Sequence, residues 1–219
     1  MAFSKIAKEY TIMPQLENEI TQTRAWGLWK IEASEEDLKL SGGFAETIPA
    51  EIVHPEKRAE FFAVRALLHN LLQQLNLTYQ GLTKDTFGKP SLRNYPHQVS
   101  LSHSYPYVTA IVDEHKPVGI DLEHFKPKLL RIAQRMFSQT EQADAGDNLI
   151  KNCIYWSAKE AMIKVYGKKD LVFAEHLLIE PFVLKQKGNL SGRIIANQKE
   201  TIVSLKYTQY TDFVIVCSV

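Results

Sequence analysis

The chain has 219 residues, 45% of them hydrophobic and 23% charged, and a net charge of +1 at neutral pH. That is enough for one large domain or two of about 100 residues with a real core, and the balanced charge excludes a global pull toward nucleic acid or a membrane surface. Cys153 and Cys217 have no metal-ligand spacing, no apolar run approaches the ~18 residues of a spanning helix, and MAFSKIAKEYTIMPQ is too polar for a signal peptide, so a cytoplasmic protein is expected.

Residues 24–31 alternate as a strand, with Trp26 and Leu28 on one face. Ser34 to Leu40 predicts a short helix with Ser34 as N-cap and the acids Glu35 to Asp37 in its first turn, stopped by Gly42-Gly43. Pro55 to Asn76 predicts a long helix. Pro55 suits its first position, and Phe61, Val64, Leu68, Leu71, Leu72 and Leu75 form an apolar stripe. Arg58 and Arg65 stack on one side of that helix, where a solvated face is the ordinary explanation. Residues 81–91 are turn-rich, and Pro90 holds Lys89 extended, which aims its side chain.

Two strands follow, Gln98 to Ser104 and Tyr107 to Asp113, joined tightly through Tyr105-Pro106. The next strand, Val118 to Glu123, is apolar going in and acidic coming out. Its alternation puts Asp121 and Glu123 on one face, Ile120 and Leu122 on the other. Two carboxylates so close repel unless a positive group sits between them, and a hard divalent cation such as Mg²⁺ would serve. Lys128 to Phe137 predicts a helix, and Ser138-Gln139-Thr140-Glu141 is a capping box for a shorter one. Asn148 to Gly167 predicts the second long helix. Tyr155, Ala158, Met162 and Val165 are its buried stripe, and Trp156, Glu160 and Lys164 climb the neighbouring face. The remainder reads as strands at Leu177–Gln186, Gly192–Ala196, Thr201–Tyr207 and Phe213–Val219, with turns at Gly188-Asn189 and Thr211-Asp212.

Glu160 brought beside Asp121 and Glu123 would complete an oxygen-rich Mg²⁺ site, with Arg58, Arg65, Lys89 and Lys159 available for phosphate groups. Such parts suit phosphoryl transfer. The blocks Gly88-Lys89-Pro90, Leu101-Ser102-His103-Ser104, Gly119-Ile120-Asp121-Leu122-Glu123 and Trp156 to Lys164 occur in that order. Together with Arg135 to Glu141, they resemble the signature blocks of the 4′-phosphopantetheinyl transferases, of the double-length, surfactin-synthetase-activating type, over residues 55–167.

That resemblance implies an α+β fold of two pseudo-symmetric lobes, residues 1–114 and 115–219, each an antiparallel sheet on a long helix. It implies coenzyme A in the cleft between them and Mg²⁺ held by Asp121, Glu123 and Glu160. Lys89, Pro90, Ser102 and His103 would bind coenzyme A, with Arg65, Arg58 and Lys159 adding charge. The acceptor would be a serine of an apo acyl or peptidyl carrier protein. Glu160 would accept its proton, and Lys164 would assist departure of adenosine 3′,5′-bisphosphate. Leu122 offers no ligand between the two acids, so water would complete the metal shell. A monomer is expected, with no nucleic-acid or membrane partner. Two other readings stand beside this one: a metal-dependent phosphodiester hydrolase, and an inactive coenzyme A-binding module.

Overall fold

A computed structural model describes residues 15–42 and 46–219, so the readings made on the N-terminal segment and on Gly43 lie outside the described residues. The fold is mixed α and β, with two antiparallel sheets covered by helices. The first sheet runs β1 (Gln15–Ile20), β2 (Arg24–Lys30), β6 (Tyr107–Asp113), β5 (Gln98–Ser104), β4 (Pro90–Leu92), β3 (Leu82–Lys84). The second runs β7 (Ile120–His124), β11 (Phe213–Ser218), β10 (Lys199–Gln209), β9 (Lys187–Ala196), β8 (Leu177–Ile179).

Alternation along the strands divides the core into three parts. Val108, Ala110 and Val112 of β6 join Phe62, Leu67, Leu68, Leu71 and Leu72 of α2 (Pro55–Gln74). Val214 and Val216 of β11 join Tyr155, Ala158 and Met162 of α5 (Leu149–Tyr166). The opposite faces meet between the sheets, where Trp26, Leu28 and Ile111 pack with Ile120, Leu122, Phe213, Ile215 and Cys217. The layers are therefore helix, sheet, sheet, helix, and β7 turns Asp121 and Glu123 away from the inter-sheet core, toward α5.

Several local expectations hold. Ser34 Oγ accepts the Asp37 N–H at 3.2 Å at the start of α1 (Glu35–Gly42). Ser138 and Glu141 form a full capping box on α4 (Gln139–Ala145), which follows α3 (Lys128–Met136). Asn148 caps α5, and Gly167 closes it at φ +83°. Others need correction. The Leu177–Gln186 segment is strand only over β8, reached through the short α6 (Phe173–His176). Gly188-Asn189 is no turn but part of β9, where Gly188 makes room for the Tyr207 ring. The bend falls at Asn197 and Gln198, both with positive φ. The polar β1 and the short β3 and β4 carry too weak an alternation to be expected from sequence.

Candidate functional site

The site begins with a missing side chain. A Cβ on Gly119 would stand 1.9 Å from the Ala161 carbonyl oxygen, so only glycine lets the chain enter β7 against the backbone of α5. This contact sets Asp121 opposite the helix face that carries Ser157, Glu160 and Lys164.

Asp121 is buried and fully engaged. Its Oδ1 accepts from Ser102 Oγ at 2.9 Å and Lys164 Nζ at 2.8 Å, and its Oδ2 accepts from Ser157 Oγ at 2.8 Å. The Lys164 ammonium also donates to the Ile120 carbonyl at 2.8 Å. Ser102 and Ser100 do a second job: their hydroxyls accept the N–H groups of Leu122 (3.2 Å) and Ile120 (3.1 Å), closing the β7 edge that β11 leaves free. Glu123 is half-buried on the same face as Asp121 and lies 4.0 Å from Lys126. Glu160 is pushed up to about 7, first by burial and then by the Asp121 charge. Lys164 opposes the rise and Glu123 adds to it.

Ser102, Glu160 and Lys164 line a cavity of about 1380 Å³ between the two sheets' helices and loops, together with Arg65, Lys89, Pro90 and His103, and Asp121 is bonded to it from behind through Ser102 and Lys164. Lys57, Lys84, Arg93, Lys168 and Lys169 line it too, so its wall is strongly cationic although the chain is not. The Lys89 backbone N–H donates to Asp85 Oδ1 at 2.9 Å. Its side chain lies across Gly167, where a Cβ would come 2.8 Å from Lys89 Cδ, and burial lowers its pKa. The α5 C-terminus, the negative end of the helix dipole, thus faces this lysine. His103 Nδ1 lies 2.9 Å from Glu60 Oε2. Arg65 stacks on the Phe61 ring at 3.3 Å and is hydrogen-bonded to Glu46.

Two expected phosphate ligands are not brought to the cavity. Arg58 makes a two-pronged ion pair with Glu35 of α1, at 2.8 and 2.7 Å, and holds α1 against α2. Lys159 is completely buried on the far side of α5, where its ammonium meets Glu141 at 2.8 Å and the carbonyls of Phe173 and Leu177. Glu141 at the same time caps α4, so this buried pair is a structural knot. Ser102 lines the cavity, but its hydroxyl is spent on Asp121 and Leu122. The sequence reading passed over Glu60 and Ser157. Glu60 looks like an ordinary i,i+3 partner of Lys57, and Ser157 like filler in a buried stripe; the only signal was that Ser157 sits inside the Trp156-to-Lys164 block.

Among the described residues, no three carboxylate, imidazole or thiol groups converge as a ready-made metal centre. The donor chemistry nevertheless fits a hard cation. Asp121, Glu123 and Glu160 crowd one another enough to disfavour a full set of charges, and the Lys164 ammonium partly offsets this at Asp121.

Residues 117–217 match the sequence model of the 4′-phosphopantetheinyl transferase superfamily. The 4′-phosphopantetheinyl transferase psf-1 of Bacillus pumilus is 44% identical over 87 residues, 37% of this chain and 37% of its own. The 4′-phosphopantetheinyl transferase Sfp of Bacillus subtilis (strain 168) is 34% identical over 137 residues, 53% of this chain and 61% of its own. The 4′-phosphopantetheinyl transferase gsp of Aneurinibacillus migulanus is 31% identical over 119 residues, 48% of this chain and 49% of its own. The matched stretches thus span from 37% to 61% of these relatives' lengths. The matched region takes in the strand that carries Asp121 and the helix that carries Glu160 and Lys164, so over these residues the chain is similar to the 4′-phosphopantetheinyl transferase superfamily.

Proposed function

We propose that this chain transfers the 4′-phosphopantetheine group of coenzyme A to a serine of an apo acyl or peptidyl carrier protein, releasing adenosine 3′,5′-bisphosphate. The observation that carries the reading is the cationic cavity lined by Glu160 and by Lys164, whose ammonium is bonded to Asp121. A ligand with one phosphomonoester, one diphosphate and a long neutral arm suits a groove with several lysines and a carboxylate along its wall.

In this reading Lys89, His103 and Arg65 hold the phosphate groups, with Pro90 stiffening the approach of Lys89. Lys57, Lys84, Arg93, Lys168 and Lys169 add to the field. Asp121, Glu123 and Glu160 would hold Mg²⁺, which when bound neutralises diphosphate charge and orients the group to be transferred. Glu160, facing the cavity, accepts the proton of the carrier serine directly or through a water, and the serine oxygen forms the new bond to the β-phosphorus. Lys164 lines the same cavity and stabilises the oxygen of the departing bisphosphate. Ser102 and Ser157 keep the Asp121 carboxylate in place throughout. The chain would act as a monomer, with residues 1–114 and 115–219 as its two lobes and coenzyme A between them.

The test is intact-mass spectrometry of apo carrier proteins incubated with this protein, coenzyme A and Mg²⁺, with EDTA and a carrier lacking its serine as controls. A phosphopantetheine mass gain that needs metal and serine is expected, and Asp121→Ala should abolish it. Consumption of coenzyme A with no gain on any carrier would move the assignment to hydrolysis.

A further inference from the structure

Glu60 has no exposed surface at all, yet it lies on α2 within reach of the cavity wall. Burying an ionised carboxylate is costly unless its oxygens are matched by donors. Here they are matched three times over. Oε1 accepts the backbone N–H of Tyr105 at 2.8 Å, and Oε2 accepts from Lys57 Nζ at 2.6 Å and from His103 Nδ1 at 2.9 Å. Lys57 is largely exposed and can be satisfied by water, and the Tyr105 amide uses one oxygen only. The contact that a buried carboxylate serves best is therefore the one to the imidazole.

We infer that Glu60 is a positioning residue for coenzyme A binding: it holds the His103 ring through the Nδ1 proton and so presents Nε2 to the cavity, where the Nε2–H of the imidazolium donates to a phosphate oxygen. An ionised carboxylate can only accept, so Nδ1 is obliged to donate. His103 itself lines the cavity and its side chain is 43% exposed, which leaves the rest of the ring for a ligand. The tie also has a structural frame. Glu60 sits on the long helix, while His103 and Tyr105 lie at the end of β5, so one carboxylate sets the helix, the turn and the ring together. A lone histidine at the end of a strand would sample several rotamers, and holding one of them removes an ordering cost from binding. This inference rests on the coenzyme A reading given above, but its first test does not.

The first measurement is the nitrogen-15 NMR pattern of His103 in the protein without ligand, which reports which ring nitrogen carries the proton. A protonated Nδ1 in the wild type, lost or mixed in Glu60→Gln, is expected. An unprotonated Nδ1 in the wild type overturns the inference and needs no variant. The second is calorimetric titration of coenzyme A, without carrier, into wild type, Glu60→Gln, His103→Ala and the double variant. Affinity should fall about tenfold in each single variant and scarcely further in the double one, because the two act as a unit. Equal, additive losses would make Glu60 a general support of the fold and overturn the inference. Absence of coenzyme A binding by the wild type, with Nδ1 protonated as expected, would remove the coenzyme A reading and with it the role assigned to Glu60, while the tie itself would stand.

Discussion

Ser102 reaches across the boundary between the two sheets to donate to Asp121 Oδ1 at 2.9 Å, while its oxygen accepts the N–H of the next residue, Leu122. Both partners are buried, so neither finds water when the hydroxyl is removed. Ser102→Ala should therefore cost about 1–3 kcal/mol of stability, read by urea unfolding, and should weaken Mg²⁺ binding measured directly by titration. Unchanged stability and metal affinity would contradict this account of the serine.

Gly119 is the tightest steric point of the site. Gly119→Ala forces a methyl group into the carbonyl of Ala161, a helix backbone atom that cannot rotate away. About 3 kcal/mol or more of destabilisation is expected from thermal or chemical unfolding, because strand and helix must part. A variant of near-normal stability would show that β7 and α5 are not in contact as described.

Lys164 bridges Asp121 and the Ile120 carbonyl while facing the cavity. Removal of its charge should act on the chemical step more than on binding. For Lys164→Ala, kcat should fall about 100-fold or more and the dissociation constant of coenzyme A should change much less. A collapse of affinity with kcat preserved would make Lys164 a binding residue instead.

Burial alone would raise the Glu60 carboxyl, but hydrogen bonds from His103 and Lys57 outweigh it and hold the pKa at about 2, against an ordinary 4.5. A carboxyl whose pKa is lowered by folding stabilises the fold above its unfolded value and loses that contribution as pH falls toward its folded value. The stability gap between wild type and Glu60→Gln should then be fullest above pH 4.5, on the order of 2 kcal/mol, and shrink steadily toward pH 2. Denaturation curves at several acid pH values would show it. A gap independent of pH would mean the charge is not what matters.

Much of this site was legible because it is local. Asp121 and Glu123 share a face by strand alternation alone, and Glu160 and Lys164 are neighbours by helical spacing. What the sequence could not show is which long-range partner each charge finds. Lys159 and Glu160 are adjacent in sequence yet lie on different faces of α5, one buried against Glu141 and the other in the cavity. Arg58 and Arg65 stack on one side of α2, yet Glu35 takes the first to α1 and only the second reaches the cavity. Glu60 carried no signal, since a glutamate beside a lysine on a helix is the commonest of surface patterns.

The backbone partner of β7 makes the site depend on the far end of the chain. Asp121 pairs in register with Val216, so the strand that carries the acids waits for almost the whole second half of the chain before its ladder can close. The β9–β10 hairpin and α5 are built from near neighbours, whereas this closure is non-local and carries the larger loop-closure cost. The position of the acids in the cleft therefore depends on a pairing between residues far apart in the sequence, and a change at the C-terminal strand reaches the site through its backbone partner.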